Sequence, residues 1–297
     1  MDNNIDGQNI ETVHEHGLIT ETIGAKPVKP RPRKNIRRAY DRLAEVYHLM
    51  FSDWDGLIGR QATGLKEIIE RELGTSQTLR ILDPTCGIGT QVLGLASMGY
   101  SVTGCDISPD AVERARREVS ARGLHIPLYV ADVRNLTSVQ EIEFDVVVSL
   151  GNSLCAFRSF EELVVALTQM RGKLRAGGLL IAGVRDYDRA IALRTGPLLV
   201  DRPLLCFDMG KRRIVIQVWE WVDGTRYIAH VYIDCEDGVH HRHSVPCRVI
   251  GREELTDALR VAGFTNVRWL SSEGQTSNAQ SVYESGFDQL TVLAIRP

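Results

Sequence analysis

Three aspartates stand where apolar, strand-like runs of this chain end, and their surroundings fit the reception of a nucleoside-containing ligand. Asp83 opens the turn Leu82-Asp83-Pro84-Thr85-Cys86-Gly87-Ile88-Gly89-Thr90, Asp106 closes Ser101–Asp106, and Asp132 lies in Ala131-Asp132-Val133. Gly87 and Gly89, one residue apart, let backbone approach a ligand closely, and a helix starting at the turn presents free N–H groups to an anionic part of it. The turn gains meaning from its distance to Asp106, because a cofactor site of this kind wants a carboxylate at the next strand end, about twenty residues on.

The elements that must hold these residues follow from periodicity. Strand-like segments at Leu79–Asp83, Ser101–Asp106, Pro127–Ala131, Phe144–Leu150 and Leu179–Val184 alternate with helical stretches reaching Met98, over Asp110–Arg122 and over Phe160–Leu174. Strands separated by helices of this length imply right-handed crossovers and a parallel sheet covered on both faces. The expected fold is therefore α/β: a doubly wound, mostly parallel, seven-stranded sheet. Helices precede it, one from Asn35 with apolar positions Ile36, Tyr40, Leu43, Ala44, Tyr47 and Phe51, and one over Leu57–Leu73. Arg213–Val222, Arg226–Cys235 and Gly238–Val249 break the pattern as three antiparallel strands, the first two joined around Asp223-Gly224. The expected organisation is a disordered leader (1–34), an N-terminal helical lid (35–78), a cofactor-binding α/β domain (79–200 and 250–297) and an antiparallel substrate-side insertion (201–249).

Composition sets the outer bounds. A chain of 297 residues, 43% hydrophobic and 25% charged, has the apolar content for one large domain or a domain with a subdomain. The longest apolar runs are far shorter than the roughly 20 residues a membrane span needs, so no membrane association and a cytoplasmic location are expected. Six scattered cysteines without a C-x-x-C pair indicate neither a zinc site nor a disulfide framework. His241 and His243 share a strand face while His240 points away, and two ligands without a third make a poor metal site, so no metal is expected. The net charge of −3 is too mild to argue for a polyanionic partner. The basic run Lys26 to Arg38 contains three prolines and no interleaved aromatics, which reads as a solvated tail rather than an RNA-docking arm.

The glycine turn, Asp106, the Ala131-Asp132-Val133 strand end and the end of the fourth strand together resemble the class I S-adenosylmethionine-dependent methyltransferases over about residues 40–297. That resemblance implies S-adenosylmethionine as cofactor, held by Asp83, Thr85, Gly87 and Gly89 under the methionine part. It also implies Asp106 and Ile107 at the ribose, Asp132 and Val133 at the adenine, and Leu150 and Gly151 beside them. A nicotinamide site would require glycine at position 92, where this chain has Val92. Ser149-Leu150-Gly151-Asn152-Ser153 and Val184-Arg185-Asp186-Tyr187-Asp188, with Tyr40-Asp41 and Trp54-Asp55, further resemble the glycine/sarcosine N-methyltransferase group, although Asp186 replaces an asparagine of that group. The likeness implies Asn152 and Arg185 orienting a small amino-acid-like acceptor, Tyr40 or Tyr187 shaping the surroundings of the methyl group, and Arg60 pairing with the cofactor carboxylate. An arginine at a strand's carboxyl end supplies a planar two-donor fork for a carboxylate. The alternatives are a larger natural-product or heterocyclic acceptor under the Trp219, Trp221 and His240–His243 strands, and a non-catalytic RNA-docking module using the basic leader.

Overall fold

The computed structural model describes residues 34–74, 79–200, 203–208, 210–270 and 289–297. The leader expected over 1–34, and most of the basic run with it, lies outside the described residues.

The main sheet is assembled from β1 (Arg80–Asp83), β2 (Ser101–Asp106), β3 (Leu128–Val130), β4 (Phe144–Ser149), β5 (Leu174–Arg185), β11 (Thr265–Trp269) and β12 (Gln289–Ile295). Their order across the sheet is β11-β12-β5-β4-β1-β2-β3. β1 to β5 pair in parallel, while β12 runs antiparallel to both β5 and β11. Between them run α3 (Thr90–Ser97), α4 (Pro109–Ala121) and α5 (Phe160–Lys173), and α7 (Arg252–Val261) precedes β11. The near-continuous apolar composition of β4 is what a strand buried on both faces requires. One face packs Val92, Leu93, Val112 and Ala115 of α3 and α4, and the other packs Leu163, Leu167, Leu255 and Leu259 of α5 and α7.

Local chemistry sets where the helices begin. Ser108 caps α4 by accepting a hydrogen bond from Ala111 N–H at 3.1 Å, with Pro109 in the first helical position. Ser159 caps α5, whose first turn carries Glu161 and Glu162 and whose last carries Arg171 and Lys173, matching the helix dipole at both ends.

Ahead of the sheet the expected single helix is divided. α1 (Lys34–Leu43) ends before a 3-10 turn at Tyr47–Met50, and α2 (Trp54–Leu73) begins earlier than its apolar period suggests because Asp53 accepts from Gly56 N–H at 2.8 Å. Arg213, buried in the inserted sheet, donates to Leu49 O at 3.0 Å and to Phe51 O at 2.6 Å, so the carbonyls of the segment that follows the break are held by the inserted sheet. α2 approaches α3 so closely that a Cβ on Gly94 would lie 2.7 Å from Ala62 Cβ and 2.8 Å from Ile58 O.

After β5 come α6 (Tyr187–Ala192) and a separate antiparallel sheet larger than the three strands expected from sequence. β6 (Leu198–Val200) and β7 (Leu204–Asp208) join β8 (Lys211–Trp221), β9 (Arg226–Cys235) and β10 (His240–Arg248). The two extra strands are short and share one edge of β8, too little length for alternation to show. The inner face of this sheet, with Val215, Trp219, Trp221, Tyr227, Val231 and Val245, belongs to the core that also holds α5 and α7. Among the described residues no helix is long and apolar enough to cross a membrane.

Candidate active site

A cavity opens at the carboxyl ends of β1, β2 and β4, the crevice position at which open α/β sheets bind ligands. Its floor is the turn from Pro84 to Ile88. Gly87 at φ 53° and Gly89 at φ 106° occupy left-handed backbone that side chains rarely adopt, so the turn depends on both glycines. Asp106 closes the turn from the side, accepting from Gly87 N–H and Ser108 N–H, each at 2.9 Å. With backbone donors from Gly87, Ser108 and Ile107 shared between two carboxylate oxygens, lone-pair capacity remains for hydroxyls of a ligand. Burial raises its carboxyl above the ordinary range, and the backbone donors oppose that shift.

Asp83 lies one layer deeper. It is fully buried; Thr85 N–H donates to Oδ1 at 3.0 Å, and Oδ2 has no partner among the described residues. Burial pushes its carboxyl up to about 7, the neighbouring Asp106 charge adding to the effect and the Thr85 bonds opposing it. A buried carboxyl oxygen lacking a donor suits a ligand with a cationic end. The Thr85 and Ser149 hydroxyls, 3.0 Å apart, tie the ends of β1 and β4 together.

The far end of the cavity carries Ile107, Asp132, Val133 and Arg134. Asp132 does not stand open: Arg134 donates to its Oδ1 from Nε at 2.8 Å and from the backbone at 3.0 Å, and to its Oδ2 from Nη2. A planar group arriving there meets a carboxylate already oriented by a guanidinium fork. Arg134 was not singled out from sequence, since its role depends on a turn that folds it back onto the acid two residues before it.

α1 and the segment that joins it to α2 form the roof, with Tyr40, Tyr47 and Phe51 on the cavity. Its anchors reach several elements. Asp41 accepts from Ser108 Oγ at 2.6 Å, and Trp54 Nε1 donates to Thr90 Oγ1 at 3.1 Å. Gln91 donates to Gln61 at 2.5 Å, and Arg213 holds the carbonyls named above. Burial raises the hydroxyl pKa of both Tyr40 and Tyr47, so both remain neutral phenols at ordinary pH.

Behind Tyr47 lies a packed polar cluster at the junction with the inserted sheet. Asn152, held at φ 61°, accepts at Oδ1 from Arg185 N–H and from Tyr187 Oη, both at 3.1 Å; Tyr187 and Tyr227 share a hydroxyl contact of 3.1 Å. Cys155 and Cys247 adjoin the same cluster, their thiols in hydrogen-bond contact. The Arg185 guanidinium lies over the Trp219 ring at 4.9 Å, and its Nη1 is buried with no hydrogen-bond partner. Neither neighbouring acid pairs with it among the described residues: Asp186 caps α6 through Arg189 N–H at 3.1 Å, and Asp188 is exposed. The charge of Arg185 reaches Tyr47, where it opposes the upward shift caused by burial.

Of the residues singled out from sequence, Tyr40, Thr85, Gly87, Asp106, Ile107, Asp132, Val133, Leu150 and Gly151 line the cavity. Asp83 and Gly89 sit behind its floor, and Asn152, Arg185 and Tyr187 form the adjoining cluster. Arg60 is directed to Asp53, at 3.9 Å, and lies outside the lining. His240 pairs with Asp234 at 2.6 Å, His241 stacks on His243, and no group of three metal-binding side chains occurs among the described residues. Tyr227 and Arg213 escaped the sequence reading. Their only signal was alternation along strands whose partner faces were unknown.

Residues 81–178 match the family described as a methyltransferase domain. The chain is 31% identical over 157 residues to a glycine/sarcosine N-methyltransferase of Parasynechococcus marenigrum (strain WH8102), covering 52% of this chain and 56% of that one. It is 30% identical over 132 residues to the glycine N-methyltransferase of Homo sapiens, covering 40% and 44%. The chain thus spans about half the length of the curated relatives it matches. In fold it is similar to an S-adenosylmethionine-dependent methyltransferase of Clostridium acetobutylicum ATCC 824, with a TM-score of 0.64 at 16% identity over 86% of this chain and 98% of that one. An amino pentose methyltransferase of Micromonospora echinaspora gives a TM-score of 0.63 at 18% identity over 85% and 95%.

Proposed function

The chain carries a methyltransferase domain over residues 81–178, and from that premise we propose that it binds S-adenosylmethionine and methylates the amine nitrogen of a small, carboxylate-bearing acceptor of glycine or sarcosine type. The cofactor reading is supported by the Asp106 carboxylate with lone pairs to spare, the glycine turn, and the unpartnered oxygen of Asp83. When bound, S-adenosylmethionine supplies an electrophilic methyl carbon on a sulfonium that leaves as a neutral thioether.

The chain's own part is then positioning. Asp106 holds the two ribose hydroxyls, Asp132 and Val133 take the adenine edge and face, and the roof excludes water. Holding an amine lone pair in line with the carbon–sulfur bond contributes on the order of 7–11 kcal/mol in favourable cases. The acceptor reacts as the free amine, its ammonium proton already released to solvent; the nitrogen–carbon bond forms as the carbon–sulfur bond breaks, and the methylated ammonium product gives up its extra proton to water, so no strong base is needed in the site. Tyr40 and Tyr47, kept as neutral phenols, offer oxygen lone pairs without a competing charge.

The acceptor class rests on one observation: the partly buried Arg185 guanidinium has a buried Nη1 with no hydrogen-bond partner, and neither neighbouring acid pairs with it among the described residues. A buried donor without an acceptor is costly, and an acceptor carboxylate supplies one. A larger scaffold would need the room that Trp219, Tyr187 and Tyr227 fill. Initial rates with labelled cofactor on glycine, sarcosine and amino sugars test the reading. Arg185→Ala is expected to raise the KM for a carboxylate acceptor at least tenfold, roughly the loss of one charge-assisted pair, with cofactor affinity unchanged. Unchanged acceptor kinetics would overturn the assignment.

A further inference from the structure

The inserted sheet meets Arg185 at a single aromatic face. Trp219, on β8, is fully buried and lies 4.9 Å under the guanidinium carbon. Its other neighbours are rings: Tyr227 is stacked on it at 4.8 Å with 21° between planes, and Tyr187 is tilted at 6.4 Å. The Arg185 backbone is fixed separately, by its N–H bond to Asn152. A long side chain anchored only at its backbone keeps several rotamers. A planar cation laid on an indole is confined in the plane that a fork-to-carboxylate pair requires. Trp221, two residues along the same face, also packs on Tyr227, at 5.5 Å, but the cation over its ring is Arg194, at 4.8 Å. The two tryptophans therefore share a wall and differ in which arginine they carry.

We infer that Trp219 is a positioning residue that sets the plane of the Arg185 guanidinium and thereby the chain's preference for an acceptor with a planar carboxylate. The inference rests on the proposed role of Arg185. It assigns the inserted sheet a direct part in acceptor choice: one face of the guanidinium is covered by indole, and its Nη1 has no hydrogen-bond partner. The neutral ring donates no hydrogen bond to the acceptor and takes no part in bond making, so its influence is carried by geometry alone.

The test uses acetate, the simplest planar carboxylate, titrated calorimetrically into the full chain saturated with S-adenosylhomocysteine. Trp219→Leu is expected to weaken acetate binding about tenfold, with Trp219→Phe recovering most of the loss. Trp221→Leu, which removes an indole from the same wall but not from Arg185, should stay within about threefold of the parent, and cofactor affinity should be unchanged in all three. Equal weakening in Trp219→Leu and Trp221→Leu, or none in either, overturns the inference. If Arg185→Ala weakens acetate and Trp219→Leu does not, only the Trp219 role fails; if the parent binds no acetate, the Arg185 reading falls and this inference with it. Should Trp219→Leu not fold, the parent labelled with 15N-arginine decides. The Arg185 side-chain resonance, assigned by its loss in Arg185→Lys, should show the shift of a proton over an indole face and move on adding acetate; a resonance at the solvent-exposed arginine position overturns the proposal.

Discussion

Asp83→Asn isolates the energetic cost of the deepest carboxyl in the site. The carboxyl ionises at 3.8 in its ordinary state and at about 7 when buried under the glycine turn. Between those values the folded chain holds a proton that the unfolded chain has released, so this group makes stability fall as pH rises. The penalty is absent below pH 3.8 and complete above about pH 7. A difference of roughly three pH units corresponds to about 4 kcal/mol, and for a domain of this size each kcal/mol moves the Tm by about 2–4 °C. Thermal melts of the parent and of Asp83→Asn from pH 5 to 8.5 should therefore diverge, the parent losing stability steeply towards pH 7 and the variant keeping most of it. Cofactor binding should narrow the gap, because a cation beside Asp83 favours its ionised form. Parallel profiles for the two proteins would refute the argument, since they would mean that Asp83 is either solvated or paired in the folded state.

Three further substitutions probe other parts of the same frame. Asp106→Ala is expected to weaken cofactor binding by about 3 kcal/mol, the loss of two charge-assisted hydroxyl bonds, read by calorimetric titration. Arg213→Met leaves the carbonyls of Leu49 and Phe51 without their donor and should destabilise the fold by about 2–3 kcal/mol in urea titration, with a matching loss in cofactor affinity as the roof loosens. Gly94→Val places a branched side chain where even a Cβ would meet Ala62 and the Ile58 carbonyl at under 3 Å. It should cost about 1–3 kcal/mol in the same assay while leaving the KM for acceptor unchanged.

The cofactor half of the site was legible because each of its residues belongs to a local pattern. Gly87, Gly89, Asp106 and Asp132 all occur at strand ends, and a strand end in a parallel sheet already says which edge it faces. The acceptor half was only partly legible for the opposite reason. Asn152, Arg185 and Tyr187 stand in recognisable strings, but the partners that give them a setting, Tyr227 and Trp219, come from an antiparallel sheet whose placement over the crevice no local period encodes. The same limit explains the divided first helix. Ile36 to Phe51 is helical in spacing, yet the segment after Leu43 is held by an arginine more than 160 residues away, a partner that spacing does not reveal. Arg60, in a suggestive position on a helix, faces Asp53 about two turns before it.

Ser108 joins three duties in one small residue. Its hydroxyl accepts from Ala111 N–H to start α4 and donates to Asp41 to hold the roof, while its own N–H steadies Asp106. For a lineage under selection this makes the position hard to vary by single steps. An alanine keeps only the amide and loses the cap and the tether together, and an asparagine or aspartate would cap the helix but changes the reach and the charge presented to Asp41. The glycine-turn side of the cavity is bound to the roof through this hydroxyl, so changes there must arrive in concert.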